Sequence, residues 1–284
     1  MPAEKGIDWV INGQTSNFKI PMLMGILNIT PDSFSDGGAY LDSGKALAHA
    51  QQMVQAGATI IDVGGESTRP GSALVSLDEE LKRVIPIIRK LSTDIDCLIS
   101  IDTQKSEVAE AAILNGAHII NDVSAGRSDA SMMNVASKTR AIYVMMHMQG
   151  TPESMQEAPH YGNVVSEIKE FFRKQIEHAV SQGINRSQIV LDPGIGFGKT
   201  LENNLEILAN IQEFHSLGCP LLLGASRKSF IDMLHRSGSS ERIGGSLAAV
   251  LSAYRQNVQI YRVHDVFETA QALNIFTAIQ KHLD

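Results

Sequence analysis

The chain has 284 residues, 43% of them hydrophobic and 19% charged, with 23 glycines and a formal net charge of −7. That balance suits a globular protein with a substantial apolar core and excludes a largely disordered one. No run of Lys and Arg offers a footprint for a nucleic-acid backbone, so a small molecule is the expected partner. At the N-terminus no basic segment leads into an apolar h-region, and no stretch reaches about 18 uninterrupted apolar residues, so no membrane partner and a cytoplasmic location are expected. The stretch WVINGQTSNFKI carries an Asn12-Gly13 turn between two β-prone pieces and predicts a short hairpin. Eight apolar, β-branched runs then follow: MLMGILNI (22–29), ATIIDVGG (58–65), CLISIDT (97–103), HIINDV (118–123), AIYVMMH (141–147), IVLDPG (189–194), PLLLGAS (220–226) and IYRVHDV (260–266). They are apolar on both faces, as strands of a helix-covered parallel sheet must be. Amphipathic stretches such as SGKALAHAQQMVQAGA, SLDEELKRVIPIIRKLS and ENNLEILANIQEFHSLG lie between them, several stopping at Gly.

Eight strand–helix units with no linker dividing them predict one α/β domain over residues 1–284, a single (β/α)8 TIM barrel with the N-terminal hairpin closing its bottom. The competing architecture is an open doubly wound sheet. Against it, no G-x-G-x-x-G follows the first run, and GIGFG at 194–198 comes late with the wrong spacing. Cys97 and Cys219 have no metal-type spacing and read as reduced core residues.

In a parallel barrel the reactive groups belong at the C-terminal strand ends. Asn28 closes the first run, Glu66-Ser67-Thr68-Arg69 follow the second, and Asp102 closes the third. Asn121 and Asp122 lie in the fourth, His147 ends the fifth, Asp192 ends the sixth, Arg227 and Lys228 follow the seventh, and Arg262, His264 and Asp265 line the eighth. For Asp192 and Asp265, capping of the following turn or helix is an equally good reading. Asp102, Asn121 and Asp192 with one Lys offer acceptors for a guanidine-like edge and a donor for a carbonyl, which is how a flat heterocycle such as a pterin is held. Arg69, Arg262 and His264 offer a separate cationic pocket for phosphate or carboxylate. Neutral, oxygen-bearing Asn28 is a candidate ligand for Mg²⁺ shared with a diphosphate.

With GILNITPDSFSDGG, IIDVGGESTRPG, SIDT, NDVSA, MHMQGTP, LDPGIGFGK, GASRKSF and RVHDV in order from about residue 22 to 266, the chain resembles the dihydropteroate synthases. The resemblance implies the (β/α)8 fold. It also implies condensation of 6-hydroxymethyl-7,8-dihydropterin diphosphate with p-aminobenzoate, giving 7,8-dihydropteroate and diphosphate in folate biosynthesis. By the same resemblance Asp102, Asn121, Asp192 and Lys228 hold the pterin, with Phe197 and Met145 near its ring; core packing is the competing reading for those two. Asn28 through Mg²⁺, with Arg69, Arg262 and His264, holds the diphosphate, and Thr68, Pro70 and Ser229 flank the p-aminobenzoate. TPDSFSDGG is similar to the family's first mobile loop and ESTRPG to its second. Phe34 of the first is expected to reach the p-aminobenzoate pocket, and Asp32 or Asp36 to approach the metal or Arg69 or only to cap a turn. Sulfonamides, as arylamine mimics, become implied ligands, a homodimer through the last helices is implied, and His147 is read as structural. A pterin-binding methyltransferase acting on methyltetrahydrofolate is the alternative; it has no need of Arg69, Arg262 and His264 arranged for a diphosphate. A non-catalytic homologue is the other, and would lack the loop signatures or the SRK motif.

Overall fold

The computed structural model describes residues 6–11, 13–29, 39–66, 74–151, 155 and 158–282. Its first elements are an antiparallel pair, β1 (Gly6–Ile11) and β2 (Gln14–Lys19), in register down to Ile11 opposite Gln14. Gly13, at φ +79°, supplies the left-handed backbone that a two-residue hairpin turn requires.

Each of the eight apolar runs then forms a parallel strand: β3 (Met22–Asn28), β4 (Ile60–Gly64), β5 (Leu98–Asp102), β6 (Ile119–Asp122), β7 (Ile142–Met146), β8 (Ile189–Asp192), β9 (Leu222–Leu223) and β10 (Ile260–Val263). They lie in the order β8-β7-β6-β5-β4-β3-β10-β9, and the two ends meet where Leu191 bridges Leu221 and its N–H donates to the Pro220 carbonyl at 2.9 Å. The result is the expected (β/α)8 barrel. Around it run α1 (Ala39–Gln55), α2 (Leu77–Asp94), α3 (Ser106–Leu114), α4 (Met132–Thr139), α5 (Val164–Ser181), α6 (Leu201–Ala209), α7 (Ser229–Leu234), α8 (Ile243–Arg255) and α9 (Val266–Gln280).

The period of two along each strand sorts side chains between two apolar clusters. In β7, Ile142 and Val144 turn inward to join Met22, Met24, Ile60 and Val190, whereas Tyr143 and Met145 turn outward against the helices. Burying each such residue contributes about 1.5–3 kcal/mol relative to exposing it. Ile7 and Trp9 of β1 belong to the inner cluster, so the hairpin plugs the bottom of the barrel as the sequence predicts. Trp9 is 1% exposed and its ring centroid lies 5.5 Å from that of Phe18.

Side-chain caps set several helix starts: Ser76 accepts the Glu79 N–H at 3.3 Å, Asn163 that of Ser166 at 2.8 Å, and Thr200 that of Asn203 at 3.2 Å. Pro86 lies inside α2 on its exposed side, where the carbonyl it leaves without a partner meets water. The stretch ENNLEILANIQEFHSLG reads as one helix but stops at Asn210 and continues as a 3₁₀ turn, Ile211–Leu217. Asn210 ends it because its own amide donates to the Glu206 carbonyl at 2.8 Å, a local bond that competes with helix continuation.

Candidate active site

The same alternation that buries Ile60 and Leu98 brings polar residues to the mouth two or four positions later. Asn28, Gly64, Asp102 and Asn121 are successive register partners across β3, β4, β5 and β6, so they stand side by side at one level of the rim. Gly64 leaves a recess between its neighbours. A Cβ there would lie 3.4 Å from Asn28 Oδ1 and 3.7 Å from Asp102 Cβ, in contact with both. One layer deeper, Asp62 of β4 is fully buried.

Arg262 of β10 joins these acids. Its Nε donates to Asp62 Oδ2 and its Nη2 to Asp102 Oδ2, both at 2.6 Å, while Asn121 Nδ2 donates to Asp62 Oδ2 at 3.1 Å. Arg262 is therefore not in a cationic pocket apart from the acids. Its register partner is Met24, below the rim, and there the nearest compensation for a half-buried guanidinium is the pair of carboxylates. Asp62 Oδ1, Asp102 Oδ1 and Ser100 Oγ remain buried without a protein partner. Asp192 follows the same division: its Oδ1 accepts the Gly194 N–H at 2.8 Å, which is the turn-capping role, and its Oδ2 lies over Gly224, 3.5 Å from where a Cβ would stand. Asp62, Asp102 and Asp192 thus each tie one oxygen to the protein and leave the other without a protein hydrogen bond.

Lys228, the residue before α7, shares the space over Gly224 with Asp192, donates to the Ile195 carbonyl and holds its ammonium 4.4 Å from the Phe197 ring centroid. Burial pulls this lysine down to about 8, with Asp192 opposing the shift. Burial pushes Asp102 up to about 7; Arg262 pulls it back, and Asp62, Glu80 and Asp122 add to the rise. Asp192 is raised by burial as well.

Phe197 rests on the small cluster of Val123, Met146, Met148 and Met155. Met145, expected beside the ring, is not part of this surface. It turns outward into the helix-facing core, because in β7 the inward parity runs through Ile142, Val144 and Met146, and Met146 is the methionine under Phe197. His147 is structural: its ring packs edge-on against Phe171 at 4.8 Å between centroids, and its Nδ1 lies 3.1 Å from Lys199 Nζ. Burial, then Lys199 and Arg127, hold it down to about 2, so it stays neutral and carries no exchangeable charge near neutral pH.

His264 follows β10, its Nδ1 3.0 Å from the Ser226 hydroxyl, and Ser229 opens α7 with its side chain exposed. Asp265 does not cap α9. Its carboxylate receives the Arg227 guanidinium instead, Nε at 2.9 Å. Phe34, Asp32, Asp36, Thr68, Arg69 and Pro70 lie outside the described residues. Asp62 is the functional candidate that reading strand ends misses, since it sits mid-run in IIDVGG. Counting back by two from Gly64 along the inward face is the signal that finds it.

Unpartnered carboxylate oxygens gathered with an amide, a lysine and an aromatic ring can hold the N–H edge and the carbonyl of a flat heterocycle. The family model described as pterin binding enzyme matches residues 24–264. Dihydropteroate synthase of Escherichia coli strain K12 is 48% identical over 266 residues, covering 94% of each chain. A crystal structure of Yersinia pestis dihydropteroate synthase with a sulfonamide drug superposes with a TM-score of 0.91 at 44% identity, covering 97% of this chain and 100% of that one. The Xanthomonas albilineans enzyme with 4-aminobenzoic acid gives 0.90 at 40% identity, over 97% and 98%.

Proposed function

The chain belongs to the pterin-binding enzymes, and within them to the dihydropteroate synthases, and from that premise we infer how its rim works. It is a transferase that condenses 6-hydroxymethyl-7,8-dihydropterin diphosphate with p-aminobenzoate to 7,8-dihydropteroate and diphosphate. The Escherichia coli and Yersinia pestis relatives are synthases matched over nearly their whole length, so the methyltransferase alternative is set aside.

We propose that the open oxygens of Asp102, Asn121 and Asp192 accept the N–H groups of the pterin while Lys228 donates to its carbonyl, with Phe197 and Met146 against the ring. The observation that carries this is the shared division of labour among the carboxylates, one oxygen anchored and one without a protein partner, since a buried acceptor without a partner is costly until a ligand or water supplies a donor. Arg69, Arg262 and His264 would meet the diphosphate, and Thr68, Pro70, Ser229 and Phe34 the p-aminobenzoate. The reaction breaks the bond from the pterin methylene carbon to its diphosphate oxygen, the electron pair leaving with diphosphate, and forms a bond from that carbon to the arylamine nitrogen, whose proton passes to solvent. This asks the chain to hold both partners in line, exclude water, which competes as a nucleophile, and receive anionic charge. It asks for no enzyme nucleophile.

We further propose Mg²⁺ as a cofactor. Among the described residues no three His, Cys, Asp or Glu gather into a metal cluster. One amide oxygen beside the recess over Gly64 nevertheless fits an ion that keeps several waters and takes its remaining ligands from phosphate. Asn28 would hold it, and the bound ion would supply neutralising charge to the leaving diphosphate. The experiment that tests the function is formation of dihydropteroate from the two substrates, with and without Mg²⁺. No product under either condition would overturn it, and full activity in chelator would remove the metal.

The titration of the pocket gives an expected result. A pterin lacking the diphosphate donates to Asp102 as carboxylate and accepts from Lys228 as ammonium. Its affinity therefore falls as pH drops below about 7, where the raised Asp102 protonates, and falls again above about 8, where the lowered Lys228 loses its proton. Calorimetry from pH 5.5 to 9 should trace a bell, and Asp102→Asn should flatten its acid limb. An affinity that is level across that range would separate both groups from the ligand.

A homodimer is proposed through α9, which is apolar on both sides: Val266 and Leu273 are buried in the barrel, while Phe267 and Ile275 are 62% and 60% exposed. Sedimentation should give twice the chain mass, and one chain mass for Phe267→Glu/Ile275→Glu. A wild-type chain that sediments as a monomer at micromolar concentration would refute it. No described helix is long and apolar enough to cross a membrane, and a cytoplasmic location is the proposal consistent with that.

A further inference from the structure

Beside the rim, a second group of charges is taken out of water. Lys105, the residue before α3, places its ammonium 2.5 Å from Glu66 Oε2 and 2.6 Å from Glu80 Oε2. The other oxygen of each carboxylate is also occupied. Glu80 Oε1 accepts the Thr103 hydroxyl at 2.7 Å, and Glu66 Oε1 accepts the Val75 N–H at 2.9 Å. The Thr103 hydroxyl in turn accepts the Lys105 N–H at 3.2 Å. The Glu80 side chain is wholly buried, and those of Glu66 and Lys105 are 14% and 27% exposed. A charge so placed is tolerated only with this degree of pairing, so the three side chains hold one another as a unit.

The unit joins two parts of the chain. Thr103 follows Asp102 directly, so one side of the network is fixed to the strand end that carries a pterin acid. On the other side, a single carboxylate secures two places nine residues apart in sequence: its own backbone at residue 66 and the N–H of residue 75. Immediately upstream, the Gly65 carbonyl accepts from Arg83 at 2.9 Å, and a Cβ on Gly65 would come 2.7 Å from Val84 Cγ1, so the chain lies flush on α2 where it leaves β4. Thr68, Arg69 and Pro70 lie between the two secured places.

We propose that Glu66 and Lys105 are positioning residues for the reaction: Glu66 staples residues 66 and 75 together, and Lys105 fixes that staple to the strand end bearing Asp102. Neither touches a substrate. They hold residues 66 and 75, which flank Thr68, Arg69 and Pro70 in sequence, to the strand end bearing Asp102, and this rests on the functional reading above. A neutral residue in place of Lys105 would leave Glu80 buried without its cation and Glu66 free to release Val75.

The test uses the full chain with both substrates. Lys105→Met should raise KM for p-aminobenzoate at least tenfold while the Kd of 6-hydroxymethyl-7,8-dihydropterin, which lacks the diphosphate, stays within twofold. Lys105→Arg should bring KM back to within threefold of the wild type. If Lys105→Met does not fold, Glu66→Gln, of equal size and partly exposed, carries the same expectation with a smaller rise. A lowered Tm with KM unchanged, or an equal weakening of the pterin, would reduce the network to fold support and overturn the proposal. Hydrogen exchange at the Val75 amide reads the staple without turnover: protection in the wild type and its loss in Lys105→Met support it, and an unprotected amide in the wild type overturns it. A wild type with a protected Val75 but no dihydropteroate formation would instead fail the functional reading.

Discussion

Asp62→Ala is expected to cost about 3–5 kcal/mol of stability, the range for removing one partner of a buried ion pair, and to weaken pterin binding as well. Asp62 accepts Arg262 Nε at 2.6 Å and Asn121 Nδ2 at 3.1 Å through one oxygen, so its loss strands two donors at once. Arg262 keeps Asp102 as a partner, and the doubled demand on that single carboxylate should draw the guanidinium across the pocket. Asn121 loses the bond that decides which end of its amide faces the ligand; with Nδ2 committed to Asp62, Oδ1 is the end presented. Asp62→Asn keeps an acceptor and should cost less in stability, while still weakening the Arg262 contact. Urea unfolding followed by circular dichroism, with calorimetry of a pterin lacking the diphosphate, separates the two effects. A stability change under 1 kcal/mol with unaltered affinity would show that Asp62 holds neither partner in solution.

At the other end of the barrel, Trp9→Ala should destabilise the protein by about 3–5 kcal/mol, as large-to-small changes of buried aromatics do. Trp9 is enclosed between Phe18 and the inner strand residues, and truncation would open a hole under Met22 and Ile60 that the two-stranded hairpin is too slight to collapse into. The rim is built from the opposite ends of the strands, so at temperatures below the lowered Tm the turnover number of folded enzyme should stay within twofold. A drop in kcat at full folding would show that the plug sets the geometry of the mouth.

The strand count and the polar strand ends are legible because they depend only on local pattern: apolar runs, a period of two, and Asp or Asn where a run stops. What resists reading depends on absolute phase. Met145 and Met146 are adjacent and chemically identical, and only the register of β7 against its neighbours decides which one turns inward. Asp62 lies inside an apolar run; its inward face follows from counting back from Gly64, but its partner Arg262 lies two hundred residues later and is not visible in the pattern. The same distance hides why Arg262 does not stand apart from the acids, since its compensation comes from β4 and β5. The break at Asn210 was open to sequence reading, because an Asn in the last turn of a helix pattern is a known competitor for the backbone. The Glu66–Lys105–Glu80 group is least legible of all, each member being an ordinary charge in an ordinary helix or loop pattern.

The chain has one tryptophan, and it is the plug residue. Its indole lies in an apolar environment and its N–H has no acceptor, so its emission should be blue-shifted and unquenched by iodide in the native state. Tryptophan emission, excited selectively over the five tyrosines, is thus an optical report from the floor of the barrel alone. Substrates at the mouth should leave the spectrum unmoved, and a red shift that precedes loss of far-ultraviolet ellipticity on heating would time the release of the hairpin ahead of the barrel. Any emission change on saturating with pterin would measure how far a binding event at one end of the strands is felt at the other.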